Sequence, residues 1–294
     1  MASPAATAGV VVPVHGWAPY LAETLDSVLA GGPGEVVVVD DGSPDPLELH
    51  ADHAPHVRLV RRDEPGGPAA ARNAGVGALP GVVDLIAFCD ADDAWEPGSL
   101  RRRLAALAAD PGAAGAFGRA HIVGADGRPT GEVWPLPAAG RYGDLEGLYE
   151  HNPILTSSVV LRRAAAPPFD ERYRHAEDWE LWLRMLHGGA VLTCVDDAVV
   201  RYRRHPAGLT TDVTAMARAQ RRLHEQYAAL VSPATRDRAL AADRRGEAAG
   251  LLRDGRPRQA RALLDPGLRR TALGVPGLRA LVGRRDPYAR PRRG

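Results

Sequence analysis

Apolar runs and amphipathic segments alternate over the first 110 residues of the chain. Short runs of only apolar residues indicate strands buried on both faces, whereas apolar residues spaced three and four apart indicate helices packed against a sheet. The predicted strands are residues 10–14, 36–39, 57–60 and 85–89. The predicted helices are residues 20–29 and 69–78. This alternation predicts an α/β fold with a largely parallel sheet.

Polar residues follow the predicted strands where each strand ends. Asp40-Asp41-Gly42-Ser43 follows the second strand, and Asp90-Ala91-Asp92-Asp93 follows the fourth. The third strand leads through the turn Glu64-Pro65-Gly66-Gly67 into a helix. Open α/β sheets bind ligands at the carboxyl ends of their strands, so we expect these residues to line a ligand site.

The second half of the chain is more mixed. Trp179, Trp182, Leu183 and Leu186 share one face of a predicted helix over residues 176–187. The predicted β-like segments are 120–123, 156–161, 191–195 and 198–202. From residue 211 the sequence pattern is typical of helices and rich in arginine. We therefore predict one domain over residues 1–210, a helical extension over 211–294, and a mobile basic tail over 283–294.

Composition places the chain among ordinary globular proteins. Of its 294 residues, 45% are hydrophobic and 25% charged, which excludes disordered, collagenous and disulfide-scaffold classes. No window approaches the roughly 18 apolar residues of a spanning helix, and the first residues lack the features of a secretory signal, so a cytoplasmic location is expected. Cys89 and Cys194 lie in apolar segments and are predicted to be buried and unbridged.

The near-neutral net charge of +1 hides an asymmetry. Up to His205 there are 18 basic and 28 acidic residues, whereas from Pro206 onward there are 19 basic and 8 acidic residues. The excess of basic residues after Pro206 has two alternative explanations. One is that these residues lie on the solvated faces of surface helices. The other is a basic surface that holds an anionic partner, such as the inner face of the cell membrane or a phosphate-bearing acceptor. No nucleic-acid partner is expected.

Two acidic motifs carry candidate chemistry. Asp90 and Asp92, two residues apart after an apolar strand, can both turn toward one Mg²⁺ or Mn²⁺ ion. Asp41 can accept hydrogen bonds from a base or ribose. Acidic residues are also common in turns after strands, so each motif alone leaves both interpretations open.

Two further segments are ambiguous in the same way. Arg72 lies in the helix that follows Gly66 and Gly67, where it is either a solvated side chain or a phosphate ligand. Glu177 and Asp178 begin an amphipathic helix, where acids complement the helix dipole. A carboxylate at the edge of a cleft can equally act as a general base.

The order of these motifs is more specific than any one of them. Five segments occur in order: PVH, VVVVDDGS, GGPAAARNAG and IAFCDADDAW, followed about 85 residues later by AEDWELWLR. Together they resemble the inverting, nucleotide-sugar-dependent glycosyltransferases of family 2. The resemblance runs from about residue 10 to residue 210. It implies a GT-A fold with a Rossmann-like mixed sheet, here with an α-helical C-terminal extension.

The resemblance also implies roles for individual residues. The implied donor-binding residues are Pro13, Val14 and His15 at the nucleobase pocket, Asp41 at the uracil edge, Arg72 beside the base and diphosphate, Asp90 at the ribose, Ala91 within the acidic motif, and Asp93 at the donor sugar. The implied metal ligands are Asp92, Asp90 and His205. The implied catalytic residues are Asp178, as the base, and its neighbour Glu177.

In that family a divalent cation, Mn²⁺ or Mg²⁺, stabilises the departing nucleotide of a donor such as a UDP-sugar. A hexosyltransferase acting on a saccharide, lipid-linked or natural-product acceptor is implied, with residues 149–158 on the acceptor side. The QxxRW segment of processive members is missing, so one or a few transfers are expected. Two alternatives stay open: an inactive binding or scaffold module of the same fold, and a sugar-phosphate nucleotidyltransferase.

Overall fold

The computed structural model describes residues 8–263. Its strands are β1 (Ala8–Val14), β2 (Glu35–Asp41), β3 (Arg58–Arg62), β4 (Leu85–Phe88), β5 (Ala94–Trp95), β6 (Gly115–Val123), β7 (Pro129–Val133), β8 (Gly140–Tyr142), β9 (Val160–Arg162) and β10 (Leu192–Arg203). Its helices are α1 (Leu21–Leu29), α2 (Pro68–Ala78), α3 (Ser99–Ala109), α4 (Leu145–Glu150), α5 (Glu177–His187), α6 (Val213–Tyr227), α7 (Pro233–Arg253) and α8 (Pro257–Leu263).

All ten of these strands form one mixed sheet with the order β3-β2-β1-β4-β9-β6-β10-β5, to which β7 adds beside β6 and β8 beside β10. The strands β3, β2, β1 and β4 run parallel, whereas β9 is antiparallel to both of its neighbours. The valines of β1 and β2 are buried, as apolar runs in parallel strands must be. The predicted α/β fold is confirmed.

The parallel strands carry helices that fit closely. Leu25 and Val28 of α1 are buried against the sheet. Gly75 of α2 lies over β1, where a Cβ atom would stand 2.3 Å from Cγ1 of Val11. A side chain at that position would push the helix away from the strand. The close approach of α2 holds Arg72, one turn earlier on the helix, near the carboxyl edge of the sheet.

Two predicted β segments are wrong in detail. Residues 156–161 are not one strand, because Thr156–Ser158 form a 3₁₀ turn before β9 begins. The two predicted strands at 191–195 and 198–202 are one strand, β10, whose register against β6 shifts between Val195 and Val200. The polar pair Asp196-Asp197 lies at this irregularity, and the pairing resumes at Ala198. The predicted helix over 176–187 is confirmed as α5.

A second structural unit follows the sheet. Contacts divide the chain into Met1–Arg204 and His205–Gly294, six residues before the predicted domain boundary. The described part of the second unit contains α6, α7 and α8, with the predicted helical character. Buried His224 and Asp243 join α6 to α7 at 2.6 Å, and Glu247 of α7 pairs with both Arg218 and Arg221. The predicted mobile tail at 283–294 lies outside the described residues.

Cys89 and Cys194 are both buried and free, as predicted. Over residues 8–263, no helix has the length and apolar character that crossing a membrane requires.

Candidate active site

The carboxyl ends of β1, β2 and β4 lie side by side, since these strands are parallel neighbours. The turn after β1, the Asp40-Asp41 pair and the Asp90–Asp93 loop therefore meet at one edge of the sheet. The turn after β1 is tied to β2: Nδ1 of His15 lies 2.8 Å from the carbonyl oxygen of Asp41, and the backbone N–H of Gly16 donates to Oγ of Ser43 at 2.8 Å. His15 is exposed at this edge and Pro13 is half-buried, whereas the Val14 side chain is buried.

Asp40 and Asp41 both hold loops within the protein. The Asp41 carboxylate accepts hydrogen bonds from Arg62 and from the backbone N–H groups of Gly66 and Gly67, the latter at 2.6 Å. It thereby caps the start of α2, where a negative charge complements the helix dipole. Asp41 is only 3% exposed, so its observed partners favour a structural role. Its contact with a uracil edge stays a prediction.

Asp40 is bonded in a similar way. Its carboxylate accepts from the backbone N–H groups of Ser43 and Leu47 and from Arg61. Burial raises the pKa of Asp40, but the hydrogen bonds from Leu47, Ser43 and Arg61 outweigh it and leave that pKa below its ordinary value. The carboxylate is therefore held in its charged form at neutral pH.

Arg72 joins the two acidic motifs. Its side chain is buried, Nη2 donates to Oδ1 of Asp90 and Nη1 donates to Oε1 of Glu177, both at 2.6 Å. The guanidinium also lies over the ring of Phe169, 5.4 Å from its centroid. Burial alone would lower the pKa of Arg72, but Asp90 and Glu177 raise it above its ordinary value. The motifs are 87 residues apart in sequence and share one cation. A contact of Arg72 with a base or diphosphate stays a prediction.

The acidic loop after β4 contains two kinds of carboxylate. Asp90 and Asp92 are half-buried, as is Ala91 between them, whereas Asp93 is only 2% exposed. Asp93 accepts from Oγ of Ser157 at 2.6 Å and from the backbone N–H of Arg203 at 3.0 Å. Burial, together with Asp92 and Asp90, raises the pKa of Asp93 well above its ordinary value. These inward bonds do not favour the predicted contact of Asp93 with a donor sugar; they favour a loop-holding role.

Arg203, the last residue of β10, also belongs to the site, and the sequence pattern did not indicate it. Its guanidinium is buried, donates through Nε to the carbonyl oxygen of Asp92 at 2.9 Å, pairs with Glu23 and stacks on Tyr20. Nothing local marks this residue, since Arg201, two positions earlier, faces the same side of the strand. The partners of Arg203, Tyr20 and Asp92, are both more than 100 residues away in sequence.

Glu177 and Asp178 occupy the first turn of α5, and the backbone sets their direction. Ala176, which precedes them, has φ of 58°, in the left-handed region. A non-glycine residue there is uncommon and is held by its surroundings. The indoles of Trp179 and Trp182 anchor the helix by donating to the carbonyl oxygens of Leu148 and Ile154. The two acids are therefore presented by a fixed helix start.

Asp178 has the electrostatics of a general base. Its Oδ2 accepts from Oγ1 of Thr156 at 3.0 Å and from Nδ2 of Asn152 at 3.4 Å, and its Oδ1 accepts from the backbone N–H of Trp179. Burial, and next the charge of Glu177, raise the pKa of Asp178 from 3.8 to about 6, while Arg72 and these hydrogen bonds oppose the rise. A base with its pKa just below neutral is ionised at pH 7 yet takes a proton readily.

The residues present fit a divalent cation that is held partly by substrate. No group of three or more His, Cys, Asp or Glu side chains within residues 8–263 is placed to hold a metal ion. Asp90 and Asp92 provide two partly accessible carboxylates, and Mg²⁺ or Mn²⁺ commonly uses one or two carboxylates with phosphate oxygens and water. His205 is the first residue of the second unit, and its role as a ligand stays a prediction.

The chain is similar to known proteins in both sequence and fold. The family model described as Glycosyl transferase family 2 matches residues 9–166, more than half of the chain. The succinoglycan biosynthesis protein ExoO of Rhizobium meliloti (strain 1021) is 41% identical over 187 residues, covering 58% of this chain and 53% of ExoO. ExoU of the same strain is 30% identical over 218 residues, covering 65% and 61%. The chain thus spans little more than half the length of these curated relatives.

Solved structures show the same fold. The crystal structure of S. aureus TarS 1–349 aligns with a TM-score of 0.58 over 84% of this chain and 72% of its own, at 18% identity. Its complex with UDP-GlcNAc aligns with a TM-score of 0.59 at 18% identity, over 82% of this chain and 72% of its own. At this identity the likeness concerns the fold alone. The family match over residues 9–166 shows that the chain belongs to glycosyl transferase family 2, and the solved structures show that it has the GT-A fold.

Proposed function

We propose that the chain is a metal-dependent, inverting glycosyltransferase that transfers a sugar from a UDP-sugar to the hydroxyl of a saccharide acceptor. The observation that carries this proposal is the double ion pair of Arg72 with Asp90 and Glu177. It joins a pair of metal-capable carboxylates to the helix start that bears a carboxylate with raised pKa. Donor activation and proton removal require these two groups at one site.

In this mechanism Asp178 is the general base. Its Oδ2 takes the proton of the acceptor hydroxyl as that oxygen attacks the anomeric carbon, and the bond from this carbon to the nucleoside diphosphate breaks on the opposite side. One in-line displacement inverts the anomeric centre. Asp90 and Asp92 would hold the cation, which when bound neutralises negative charge on the departing diphosphate. Thr156 and Asn152 orient the base, and Arg72 holds Glu177 beside it.

Uracil as the base of the donor nucleotide is supported by the shared fold, because the structure of TarS, a protein of that fold, contains UDP-GlcNAc. A saccharide acceptor is supported by the names of ExoO and ExoU, which concern the biosynthesis of succinoglycan. The acceptor-side segment carries Asn152 and Thr156, which bond the base. An acceptor hydroxyl that approaches this segment would meet Asp178.

The test is a panel of UDP- and dTDP-sugars with a saccharide acceptor and Mn²⁺, with release of free nucleotide as the readout and chelator as the control. We expect nucleotide release from a UDP-sugar that requires the metal, and a β-linked product from an α-linked donor by NMR. Binding of UDP without turnover would indicate the scaffold module instead. Consumption of UTP with a sugar 1-phosphate would indicate the nucleotidyltransferase.

A further inference from the structure

Three consecutive hydroxyl side chains are buried in the 3₁₀ turn Thr156–Ser158. Buried hydroxyl groups must find hydrogen-bond partners. Ser158 satisfies its own within the turn, because its Oγ donates to the carbonyl oxygen of Leu155 at 2.7 Å. The hydroxyl groups of Thr156 and Ser157 are bonded instead to two different parts of the site.

Ser157 closes the acidic loop. Its Oγ accepts from the backbone N–H of Asp90 at 3.0 Å and donates to Oδ2 of Asp93 at 2.6 Å. One hydroxyl therefore bridges the first and last residues of the loop. Its carbonyl oxygen also accepts from the indole N–H of Trp95, just beyond that loop, at 2.9 Å. The position of the loop backbone, and hence of Asp92 within it, depends on this serine.

Thr156 holds the candidate base. Its Oγ1 donates to Oδ2 of Asp178 at 3.0 Å, and Thr156 is itself only 4% exposed. A hydrogen-bond donor at Oδ2 favours the ionised form of the Asp178 carboxylate and fixes its rotamer. The other oxygen, Oδ1, is fixed by the backbone N–H of Trp179 at 2.7 Å. The orientation of the carboxylate is thus set from both sides.

We propose that Thr156 and Ser157 are paired positioning residues, Thr156 for Asp178 and Ser157 for the loop Asp90–Asp93. This inference rests on the proposed function. The two side chains belong to adjacent residues, whose Cα atoms are about 3.8 Å apart across a trans peptide. A single peptide unit therefore sets the spacing between the donor-side loop and the base. Arg72 provides a second, separate link between the same two parts.

The test compares substitutions at the three hydroxyl residues. Thr156→Val keeps the shape and removes the donor, so we expect kcat to fall about tenfold or more while the dissociation constant for UDP with Mn²⁺ changes by less than about threefold. The acid limb of the pH–rate profile should move to higher pH. Glu177 and Arg72 are the charged groups that act on Asp178, and both are unchanged. Thr156→Ser should restore kcat and the profile.

Ser157→Ala should show the opposite pattern, with UDP affinity in Mn²⁺ reduced about tenfold and the pH–rate profile unchanged. Ser158→Ala is the matched control, because its hydroxyl bonds only within the turn; kcat and UDP affinity should both stay within about twofold of the unmodified chain. Thermal unfolding confirms that each variant is folded.

Two results, each obtained with an active unmodified chain, would overturn the paired roles of Thr156 and Ser157. The first is a Thr156→Val variant with the same kcat and pH profile as Ser158→Ala. The second is that Thr156→Val and Ser157→Ala have the same effects as each other. Either result would refute the inference and leave the proposed function intact. An unmodified chain that binds no UDP and releases no nucleotide from any donor would refute the proposed function, and this inference with it.

Discussion

Arg203 holds the backbone of Asp92: its Nε donates to the carbonyl oxygen of that residue at 2.9 Å. The same guanidinium stacks on Tyr20, 4.4 Å from the ring centroid, and pairs with Glu23 of α1. The acidic loop is thereby linked to the first helix and to the last strand of the sheet. The bond uses the peptide group of Asp92 and leaves its carboxylate to other partners.

We predict that Arg203→Lys weakens UDP binding in the presence of Mn²⁺ by about tenfold. Lysine keeps the positive charge beside Glu23 but lacks the planar fork that reaches several acceptors at once. Isothermal calorimetry measures the affinity. Arg201→Lys is the control, because Arg201 lies on the same strand and also pairs with Glu23, at 3.3 Å, but is much more exposed. Equal losses in the two variants would contradict a specific role of Arg203.

Asp178→Asn should separate binding from chemistry. Asparagine keeps the size of the side chain and cannot accept the proton, and a general base typically contributes 10²–10⁴-fold. We expect turnover to fall by about that factor, with UDP affinity changed less than about threefold. Steady-state kinetics and calorimetry measure the two quantities. If Glu177→Gln abolishes transfer while Asp178→Asn does not, then Glu177 is the base.

The unmodified enzyme should lose activity as the pH falls through about 6. The pKa of Asp178 is raised to about 6, and only the ionised carboxylate can take the acceptor proton, so kcat should fall about tenfold for each further pH unit below that value. A pH–rate profile at saturating donor and acceptor measures this. A profile that is flat from pH 8 to pH 5 would exclude Asp178 as the titrating base.

The same raised pKa predicts a gain in stability for Asp178→Asn. In the unfolded chain this carboxyl has a pKa near 3.8. Between pH 3.8 and about pH 6 the folded chain therefore binds the proton more tightly than the unfolded chain does. Stability is therefore lost as the pH rises through that window, and at pH 7.5 the full cost is present. Because the residue is partly exposed, we estimate about 1–2 kcal/mol, or a rise in Tm of about 2–6 °C in the variant. The difference in Tm between the variant and the unmodified chain should vanish near pH 3.5. A variant with a lower Tm than the unmodified chain at pH 7.5 would contradict the prediction.

The buried parallel strands could be predicted from the sequence because their apolar runs have one explanation. Val36 to Val39 cannot be a surface strand or a helix of useful length. The helix start at Glu177 and Asp178 was predicted for a similar reason, since four large apolar side chains share one face. Asp41, Asp90 and Asp92 lie at the predicted sheet edge, whereas His205, also named by the family resemblance, lies in the second unit.

Other parts of the site depend on partners that are distant in sequence. Nothing local distinguishes Arg203 from its neighbours Arg201 and Arg204, and only the fold brings Tyr20 and Asp92 to it. Ser157 belongs to a run that looks like a strand, yet it lies in a 3₁₀ turn and its hydroxyl bonds to Asp90 and Asp93. Pairing of polar groups across 60 or more residues has no periodicity that a single sequence would reveal.

Asp92→Asn should make nucleotide binding independent of metal. The change removes one negative charge from the pair that would hold the cation, so we expect the Mn²⁺-dependent part of UDP affinity to be lost and turnover to fall by at least about 10²-fold. Calorimetry with Mn²⁺ and with chelator measures this. Asp84→Asn, an exposed position just before β4, is the control. Equal UDP affinity with metal and with chelator in the unmodified chain would exclude the metal site.

The basic extension is predicted to bind anionic lipid vesicles at low salt. Arg256 and Arg258, near the turn between α7 and α8, are exposed, and attraction between exposed charges is screened beyond about 10 Å at 0.1 M salt. Co-sedimentation should weaken as salt rises and should drop in the Arg256→Glu, Arg258→Glu double variant. A double variant with the same charge change, Arg101→Glu with Arg128→Glu, is the control. Absence of binding at low salt would favour solvated helix faces.

The left-handed backbone at Ala176 restricts how this position can vary in natural relatives. Within residues 8–263 it is the one non-glycine residue with positive φ, and this conformation costs roughly 1–2 kcal/mol for an alanine. Glycine or asparagine adopts it more easily, whereas a β-branched side chain there would strain the backbone just before the acid pair. Substitution before the acid pair is thus limited by backbone shape alone, even though the Ala176 side chain takes no part in the chemistry.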